Sequence, residues 1–516
     1  MPRIVTTHAV DDDRLTLLRT PRSDLVLERA DGPDRFTAVG GPFSHYERTL
    51  TVEPDGRVTE TIDFRLAVPF WWILFVLPFR WGLRHRRDGG QPWWAPPEAL
   101  DARAATVLGL LCSIAIVEGY LGTLLTQTMT YAAREFGASR GTQGTTLAAV
   151  RVGVLVTFAA AALADRRGRR PVLVGTLAIG CVLAAAGALA PNLLWLGSSQ
   201  ALSRGCAGAA GLLIAIISAE EMPKGARAYA YSLIALTTSL GAGMCLWVLP
   251  VADVSTRSWR LVYLVPLLGL LVVYVVGRRL PESRRFVREH ASESSPRRAL
   301  ASRRQRLMLL AAAGFLLALF AAPAFELQND FLRRDRGFSA ARISLFTLLT
   351  STPAALGIVF GGRVADVRGR RLLGAVAIAG GTIATVLMFA VAGWPMWAWA
   401  VIGSVIGASA VPIIGVYRAE LFPTGLRGRA AGTIDLVALC GSALGLVLAG
   451  TLADRWGGFA GPIALLAAGP LVVAALVLVA FPETARRSLE ELNPEDELQA
   501  SAASPAPSPP PPGRAS

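Results

Sequence analysis

Runs of about 20 consecutive apolar residues recur from Ala104 to Ala480. Little else leaves a chain so few choices, because a helix of that length spans the roughly 30 Å hydrocarbon core of a bilayer. About twelve runs can be counted, at 104–130, 144–163, 171–190, 192–218, 228–250, 259–278, 307–328, 344–363, 372–392, 395–417, 429–451 and 460–481. They are continuously apolar, whereas barrel strands would alternate over about 10 residues, so helices are expected. With 53% hydrophobic residues and a mean hydropathy of +0.46, the 516-residue chain is too apolar for an ordinary soluble protein. The expected fold is an all-α integral membrane protein of about twelve transmembrane helices, with the lipid bilayer as its solvent.

The formal net charge of +14 would suggest nucleic acid in a soluble protein. Here the arginines gather in alternate loops, which is the signature of membrane topology. Placing the arginine-rich loops in the cytoplasm puts 164–171, 219–228, 279–306, 364–372 and 418–429 inside, and both termini with them. A multi-pass protein of the inner (cytoplasmic) cell membrane, with no N-terminal signal peptide and no nucleic-acid partner, is therefore expected. The loop 329–343, carrying Arg333, Arg334, Arg336 and Arg342, breaks the pattern. Cys112, Cys181, Cys206, Cys245 and Cys440 all fall inside expected spans without a CxxC pair, and read as small packing residues rather than metal or disulfide partners. His8, His45, His85 and His290 lie outside the main spans, which leaves no histidine relay within the membrane.

The chain also repeats itself. "ADRRGRRPVL" from Ala164 returns as "ADVRGRRLLG" from Ala365, with Asp165 and Asp366 in equivalent places. "EEMPKGARA", with Glu220 and Arg227, returns as "ELFPTGLRG", with Glu420 and Arg427. "PESRRF", with Glu282, returns as "PETARR", with Glu483. Three paired motifs about 200 residues apart imply a parallel duplication of six spans, hence two pseudo-symmetric six-helix bundles.

These motifs resemble the major facilitator superfamily of secondary transporters, whose second and third helices are joined by G-x-x-x-D-R-x-G-R-R. "GRVADVRGRR" from Gly362 keeps that frame with Val367 at the usual arginine, and Ala161 stands at the glycine of the first copy. The E-x-x-P-x-x-x-R motifs and the two P-E-S/T motifs resemble the sugar-porter-like, metabolite:proton symporter branch. The resemblance, over roughly 104–492, implies a cytoplasmic gate. Asp165, Arg169, Asp366 and Arg370 would join Glu220, Arg227, Glu420 and Arg427 when that side is closed, with Glu282 and Glu483 in the same gate, through helix-end electrostatics and bidentate arginine bridges. Topology alone accounts for Arg166, Arg167 and Arg371, but nothing in charge asymmetry asks for aspartates at fixed places.

Glu118 lies near the middle of the first span, where an acid costs at least ~2.5 kcal/mol. Arg204, near the middle of the fourth, is the candidate partner, in an R-x-x-x-G pattern with Gly208. Proton-coupled porters of the resembled branch place an acid and an arginine at these two places, which implies proton coupling through the pair. Desolvation favours the neutral acid and a nearby arginine favours the carboxylate, so the pair can exchange a proton as the cavity opens and closes. A static structural ion pair is the other reading. Tyr120, Thr126, Arg151, Trp247, Glu326 and Tyr417 are candidates to line the substrate cavity; Arg151 and Glu326, nearer the ends of their spans, could equally face water, as could Asp435. The resembled sugar porters carry a glutamine in the fifth helix and Q-Q-x-x-x-x-N in the seventh, and neither is present here. A hexose is therefore not indicated.

Residues 1–62 are polar, and "HYERTLTVEPDGRVTETIDFRL" reads as a β-hairpin, with Tyr46, Leu50 and Val52 alternating on one strand and Val58, Ile62 and Phe64 on the other. The segment after it, within 63–103, is apolar for only about 14 residues and holds two prolines and several tryptophans. We expect an interfacial or re-entrant anchor there, with an extra transmembrane helix as the alternative. The remaining organisation is a first bundle over 104–278, a central loop over 279–306, a second bundle over 307–481 and a tail over 482–516, proline-rich at its end. The functional expectation is a monomeric secondary transporter, driven by the proton gradient without cofactor or metal, that carries a small polar organic solute. The alternatives are a proton-coupled exporter of drug-like or cationic compounds and a transporter-derived sensor. No enzyme constellation of nucleophile, base or metal is visible.

Overall fold

The computed structural model describes residues 2–9, 12–54, 57–86, 92, 94–96, 98–223, 226–282, 304–358, 369–411, 413–414 and 427–483. The chain divides into two compact units, one of residues 1–128 and 152–291, the other of residues 129–151 and 292–516.

The first unit opens with a small α+β domain. Strands β1 (Arg3–Ala9), β2 (Leu27–Ala30), β3 (Arg35–Gly40), β4 (Phe43–Val52) and β5 (Arg57–Leu66) form an antiparallel sheet in the order β1-β5-β4-β3-β2. Helix α1 (Asp12–Arg19) follows β1, and α2 (Trp72–Arg84) follows β5. The expected hairpin is β4 on β5, with Tyr46 opposite Phe64 and Val52 opposite Val58. Alternation along these strands buries Tyr46, Arg48 and Leu50 with Val58, Glu60, Ile62 and Phe64. Val52 departs from the expectation: at the strand end it is exposed, beyond the apolar cover of Leu15 and Leu18.

Two charged residues sit in the middle of that buried face. Arg48, fully buried, donates to Glu28 (2.8 and 2.7 Å), to Glu60 (3.3 Å) and to the carbonyl of Leu18 (2.8 Å), and it stacks on Phe36. Buried charge is tolerable only when its hydrogen bonds are satisfied in this way. On one side of Arg48 lie Leu18, Phe36, Leu50 and Val58; on the other lie Phe43, Tyr46, Ile62 and Phe64 with Phe79 and Leu83 of α2. Helix α2 is thus part of the sheet's core, and its C-terminal carbonyls at Gly82 and Leu83 accept from the buried Arg22.

The membrane helices follow the apolar runs closely. They are α3 (Ala102–Glu135), α4 (Arg140–Ala164), α5 (Arg169–Leu189), α6 (Leu193–Ser218), α7 (Tyr229–Asp253) and α8 (Trp259–Arg279) in the first six. The second six are α9 (Arg304–Asp335), α10 (Ala340–Ile358), α11 (Arg370–Ala390), α12 (Trp394–Ala408), α13 (Gly432–Trp456) and α14 (Ala460–Ala480). Eleven of these, among the described residues, are long and apolar enough to span a bilayer; α12 is shorter, and the expected span 395–417 runs on into residues outside the described ones. The largest departure is at α9, which continues past Leu327 into a π-helical turn, Phe331–Asp335, where a loop was expected. Buried Phe331 and Leu332 hold that turn in the core.

Small residues set the helix spacing, as expected where lipid supplies no hydrophobic drive. A Cβ on Gly241 would lie 2.0 Å from the carbonyl oxygen of Ile116, so α7 and α3 touch backbone to backbone. In the second unit a Cβ on Gly441, one repeat later, would lie 2.3 Å from the carbonyl oxygen of Phe315, and the glycine brings α13 onto α9. Four cysteines are buried as expected of packing residues. Cys440 is exposed, a correction that follows from its position off the packed Gly441 face of α13.

Candidate functional site: the repeated arginine motif, a membrane carboxylate and a charged clasp

The repeated motif builds the same cap twice. Gly168 ends α4 with φ of 98°, and Gly369 precedes α11 with φ of 104°, a left-handed turn that suits glycine alone. The turn exposes the first amides of α5 to the Glu282 carboxylate, which accepts from the Arg169 N–H (3.0 Å) and the Arg170 N–H (3.2 Å). Glu483 does the same for α11, accepting from the N–H groups of Arg370 (2.9 Å) and Arg371 (3.1 Å). A carboxylate at a helix N-terminus satisfies orphan donors and meets the positive end of the dipole. The glycine has a second reason, since a Cβ at Gly168 or Gly369 would lie 2.8 or 3.0 Å from that carboxylate.

The arginine side chains then reach outward from the cap. Arg169 donates to Glu220 at the end of α6 (2.9 Å), and Arg170 donates to the Gly277 carbonyl near the end of α8 (2.5 and 3.1 Å). Arg371 makes the equivalent bond to the Leu478 carbonyl. Arg370 is buried at its helix start. A further arginine, Arg103, was not singled out from sequence; it bridges Glu221 (3.1 Å) and the Glu282 carbonyl (3.2 Å). Asp366, Glu420 and Tyr417 lie outside the described residues, as do the side chains of Asp165, Arg227 and Arg427.

Glu118 sits inside α3, next to Gly119, against α7 and α6. Its carboxylate accepts from the Thr238 hydroxyl at 3.1 Å, and Gly211 lies beside it, with a Cβ there 3.3 Å from Oε1. No cation stands within ion-pair distance of Glu118 among the described residues. Arg204 is on the same helix as Gly211 but seven residues earlier, about 10 Å along the axis at ~1.5 Å per residue. Its neighbour Gly205 packs on Gly153 of α4 instead, where a Cβ on Gly205 would lie 2.2 Å from the Gly153 carbonyl oxygen. The structure therefore brings Glu118 to Thr238 rather than to Arg204.

The cavity candidates separate in the same way. Tyr120 donates its hydroxyl to the Val262 carbonyl (2.9 Å) and is buried. Thr126 is buried with a hydroxyl that meets no hydrogen-bond partner, and Trp247 is exposed. Arg151 and Glu326, considered separately from sequence, form an ion pair at 2.5 Å.

A cluster unforeseen in the sequence lies near that pair, within the second unit. Arg140, at the start of α4, bridges Asp335 and Asp330 (3.7 Å to the latter), while Gln143 donates to Asp330 (3.3 Å) and Arg334 to the same carboxylate (2.9 Å). The Arg140 and Gly141 N–H groups donate to Asp454 of α13 (3.0 and 2.6 Å), so this carboxylate caps α4. Gly144 and Gly450 close the contact, a Cβ on Gly144 lying 2.3 Å from the Leu446 carbonyl. This clasp also explains the exception to charge asymmetry: Arg334 is paired, Arg333 covers the Tyr131 ring, and Arg336 donates to the Phe389 and Val391 carbonyls at the end of α11. The available signal was Asp330 and Asp335 set among Arg333, Arg334 and Arg336, with Arg140 and Asp454 at two further span ends.

The fold has counterparts among solved structures. It is similar to that of a bacterial homologue of the human lysosomal transporter Spinster in an inward-facing, occupied conformation, at 16% identity and a TM-score of 0.61 over 73% of this chain and 97% of that one. The xylose transporter XylE of E. coli, inward open, gives 16% identity and 0.59 over 76% and 99%; the nucleoside transporter NupG gives 15% and 0.59 over 73% and 100%. None of the curated proteins matches the sequence. The sequence profile of the Major Facilitator Superfamily matches residues 111–328 and 323–510, most of the chain. With a capped, arginine-bearing motif written twice among its membrane helices, the protein belongs to the Major Facilitator Superfamily of transporters.

Proposed function

We propose that this transporter carries a small polar organic solute by alternating access and takes up a proton at Glu118 in doing so. The observation that supports this most is a carboxylate within α3 whose polar partner is a single hydroxyl, Thr238 Oγ1. A hydroxyl can donate to a carboxylate or accept from a carboxylic acid, so the site holds either form without rebuilding its neighbours. An ionised acid in the membrane is costly, and its loss of charge on protonation gives the two directions of access different energies. Arg204 enters when α3 and α6 change register and its guanidinium reaches the carboxylate, which drives the proton off.

The repeated caps supply the gate. Arg169 with Glu220 and Glu282, and Arg370 with Glu483, hold helix ends, and Asp165, Arg227, Asp366, Glu420 and Arg427 are assigned to the same gate from their sequence motifs alone. On this reading that end faces the cytoplasm, with both termini, in the cell membrane, and the protein works as a monomer. The clasp of Arg140, Asp330, Asp335 and Asp454 acts at the opposite helix ends, holding residues 129–151 on the second unit in this state. Tyr120 is structural, and Thr126 is the better cavity candidate because its hydroxyl is buried and unspent. Export of cationic compounds loses its acid here, since Glu326 is paired with Arg151.

Counterflow in proteoliposomes tests the transport itself. Vesicles loaded with pools of sugars, polyols, organic acids or nucleosides should accumulate the matching labelled solute, and an organic solute class should emerge. Accumulation of cationic drugs alone would overturn the proposed substrate class.

A further inference from the structure

The junction between the sheet domain and the first membrane helix carries features that transport does not use. β5 ends at Leu66, the chain turns through Ala67–Trp71, and α2 begins at Trp72. Phe70 holds φ of 63°, the one positive value outside glycine among the described residues, and a bulky residue adopts it only where its surroundings impose it. The turn is fixed on both sides. Thr106 of α3 donates to the Ala67 carbonyl (2.8 Å), and the Trp71 indole donates to the Gly109 carbonyl (3.1 Å) and the Ser113 hydroxyl (3.0 Å). With Trp71 turned inward, Phe70 and Trp72 are left outward, each half exposed.

Beside them opens a cavity of about 730 Å³. Its walls are apolar, from Leu66, Pro69, Phe70 and Trp72, and its two cations are Arg65 of β5 and Arg279 at the end of α8. Both arginines are exposed, and neither has a carboxylate partner among the described residues. The apolar wall continues along α2 as Ile73, Leu74, Leu77 and Trp81, all more than half exposed, while the opposite face of the helix packs on the sheet. A thirteen-residue helix cannot span a bilayer, and an exposed apolar stripe with tryptophans at its ends suits the membrane interface. Arg279 lies at the helix ends that carry the repeated arginine motif, two residues beyond the Gly277 carbonyl held by Arg170.

We propose that this junction is a binding site for one anionic phospholipid, with its headgroup phosphate between Arg65 and Arg279 and an acyl chain along Phe70, Trp72 and the outer face of α2. Two guanidiniums without counter-ions among the described residues, on the rim of an apolar groove at the membrane boundary, match a phosphodiester that carries hydrocarbon. The bound lipid then ties the sheet domain to the bilayer at the helix, α3, that bears Glu118. The inference rests on the membrane-spanning fold and not on the identity of the solute.

Native mass spectrometry of the full chain, titrated with phosphatidylglycerol or phosphatidylcholine, tests this site. The expected result is one phosphatidylglycerol bound at least tenfold more tightly than phosphatidylcholine. That preference should fall at least tenfold in R65Q/R279Q, partly in each single variant, and stay unchanged in R257Q, which removes an arginine at the other end of α8. W72A should weaken both lipids. Exposed, unpaired arginines are dispensable for folding, so R65Q/R279Q should keep the wild-type unfolding temperature. Equal affinity for the two lipids, full retention of the preference in R65Q/R279Q, an equal loss in R257Q, or displacement of the lipid by inorganic phosphate alone would each overturn the proposal.

Discussion

Replacing Arg140 by alanine should loosen the clasp on the second unit by an amount that can be worked out. Arg140 faces Asp335 and Asp330, and Asp330 is 1% exposed. Removing one partner of a buried pair costs about 3–5 kcal/mol, but Asp330 keeps Arg334 at 2.9 Å, so about 2 kcal/mol is the better figure. At ~1.4 kcal/mol per tenfold, the population in which residues 129–151 leave α13 rises about 30-fold. The reporter is a cysteine at Val150, 2% exposed and ten residues from Arg140, in a background without the five native cysteines. Reaction with a charged, membrane-impermeant thiol reagent tracks the open population while reclosing outruns labelling. R140A should therefore label about 30-fold faster than the parent. Equal rates would refute the reasoning, because they would mean that Arg140 does not hold the segment in place.

Other perturbations follow from the same geometry. Gly168→Ala and Gly369→Ala put a side chain into a left-handed turn and against a capping carboxylate, so each should cost about 1–2 kcal/mol in thermal unfolding; wild-type stability in both would contradict the shared cap. Arg48→Met takes the paired cation from the buried Glu28 carboxylate, leaving it only the Tyr46 hydroxyl and the Arg22 N–H, costs about 3 kcal/mol, and should expose residues 1–66 to protease while the membrane helices stay resistant. Asp63 is hydrogen-bonded by Arg3, which holds its carboxyl below the ordinary carboxylate range. A lowered folded value gives stability that is present above the unfolded value and is lost as pH falls through the folded one. Protection factors along β1 and β5, which divide out the intrinsic exchange rate, should thus fall below about pH 4, and R3Q should flatten that dependence.

The membrane helices were legible in the sequence because lipid demands the same thing at every turn, a long uncharged run. The repeated motif was legible because the chain writes it twice: Gly168 with Glu282 and Gly369 with Glu483 build the same cap, and although each carboxylate lies 113 residues from the amide it meets, the second copy marks the residues that matter. Pairings between distant helices that occur once leave no such mark. Glu118 and Arg204 were matched by their depth in two spans, but the register between α3 and α6 depends on where glycines let backbones meet, and Gly211, not Gly208, falls beside the acid. The clasp escaped for the same reason, since Arg140 is nearly two hundred residues from Asp330 and more than three hundred from Asp454. In the sheet domain the alternation of β4 and β5 was readable. The role of α2 in its core was not, because its apolar residues serve the sheet on one face and face outward on the other.

The most direct test of the account is proton movement driven by solute. Proteoliposomes enclosing a pH dye, holding wild-type protein or Glu118→Gln, are challenged with the solute that counterflow identifies. The account predicts that wild type moves protons with the solute and that E118Q binds and exchanges the solute but moves no protons against a gradient. Proton movement in E118Q equal to that of wild type would make Glu118 a structural residue and contradict the coupling proposed here.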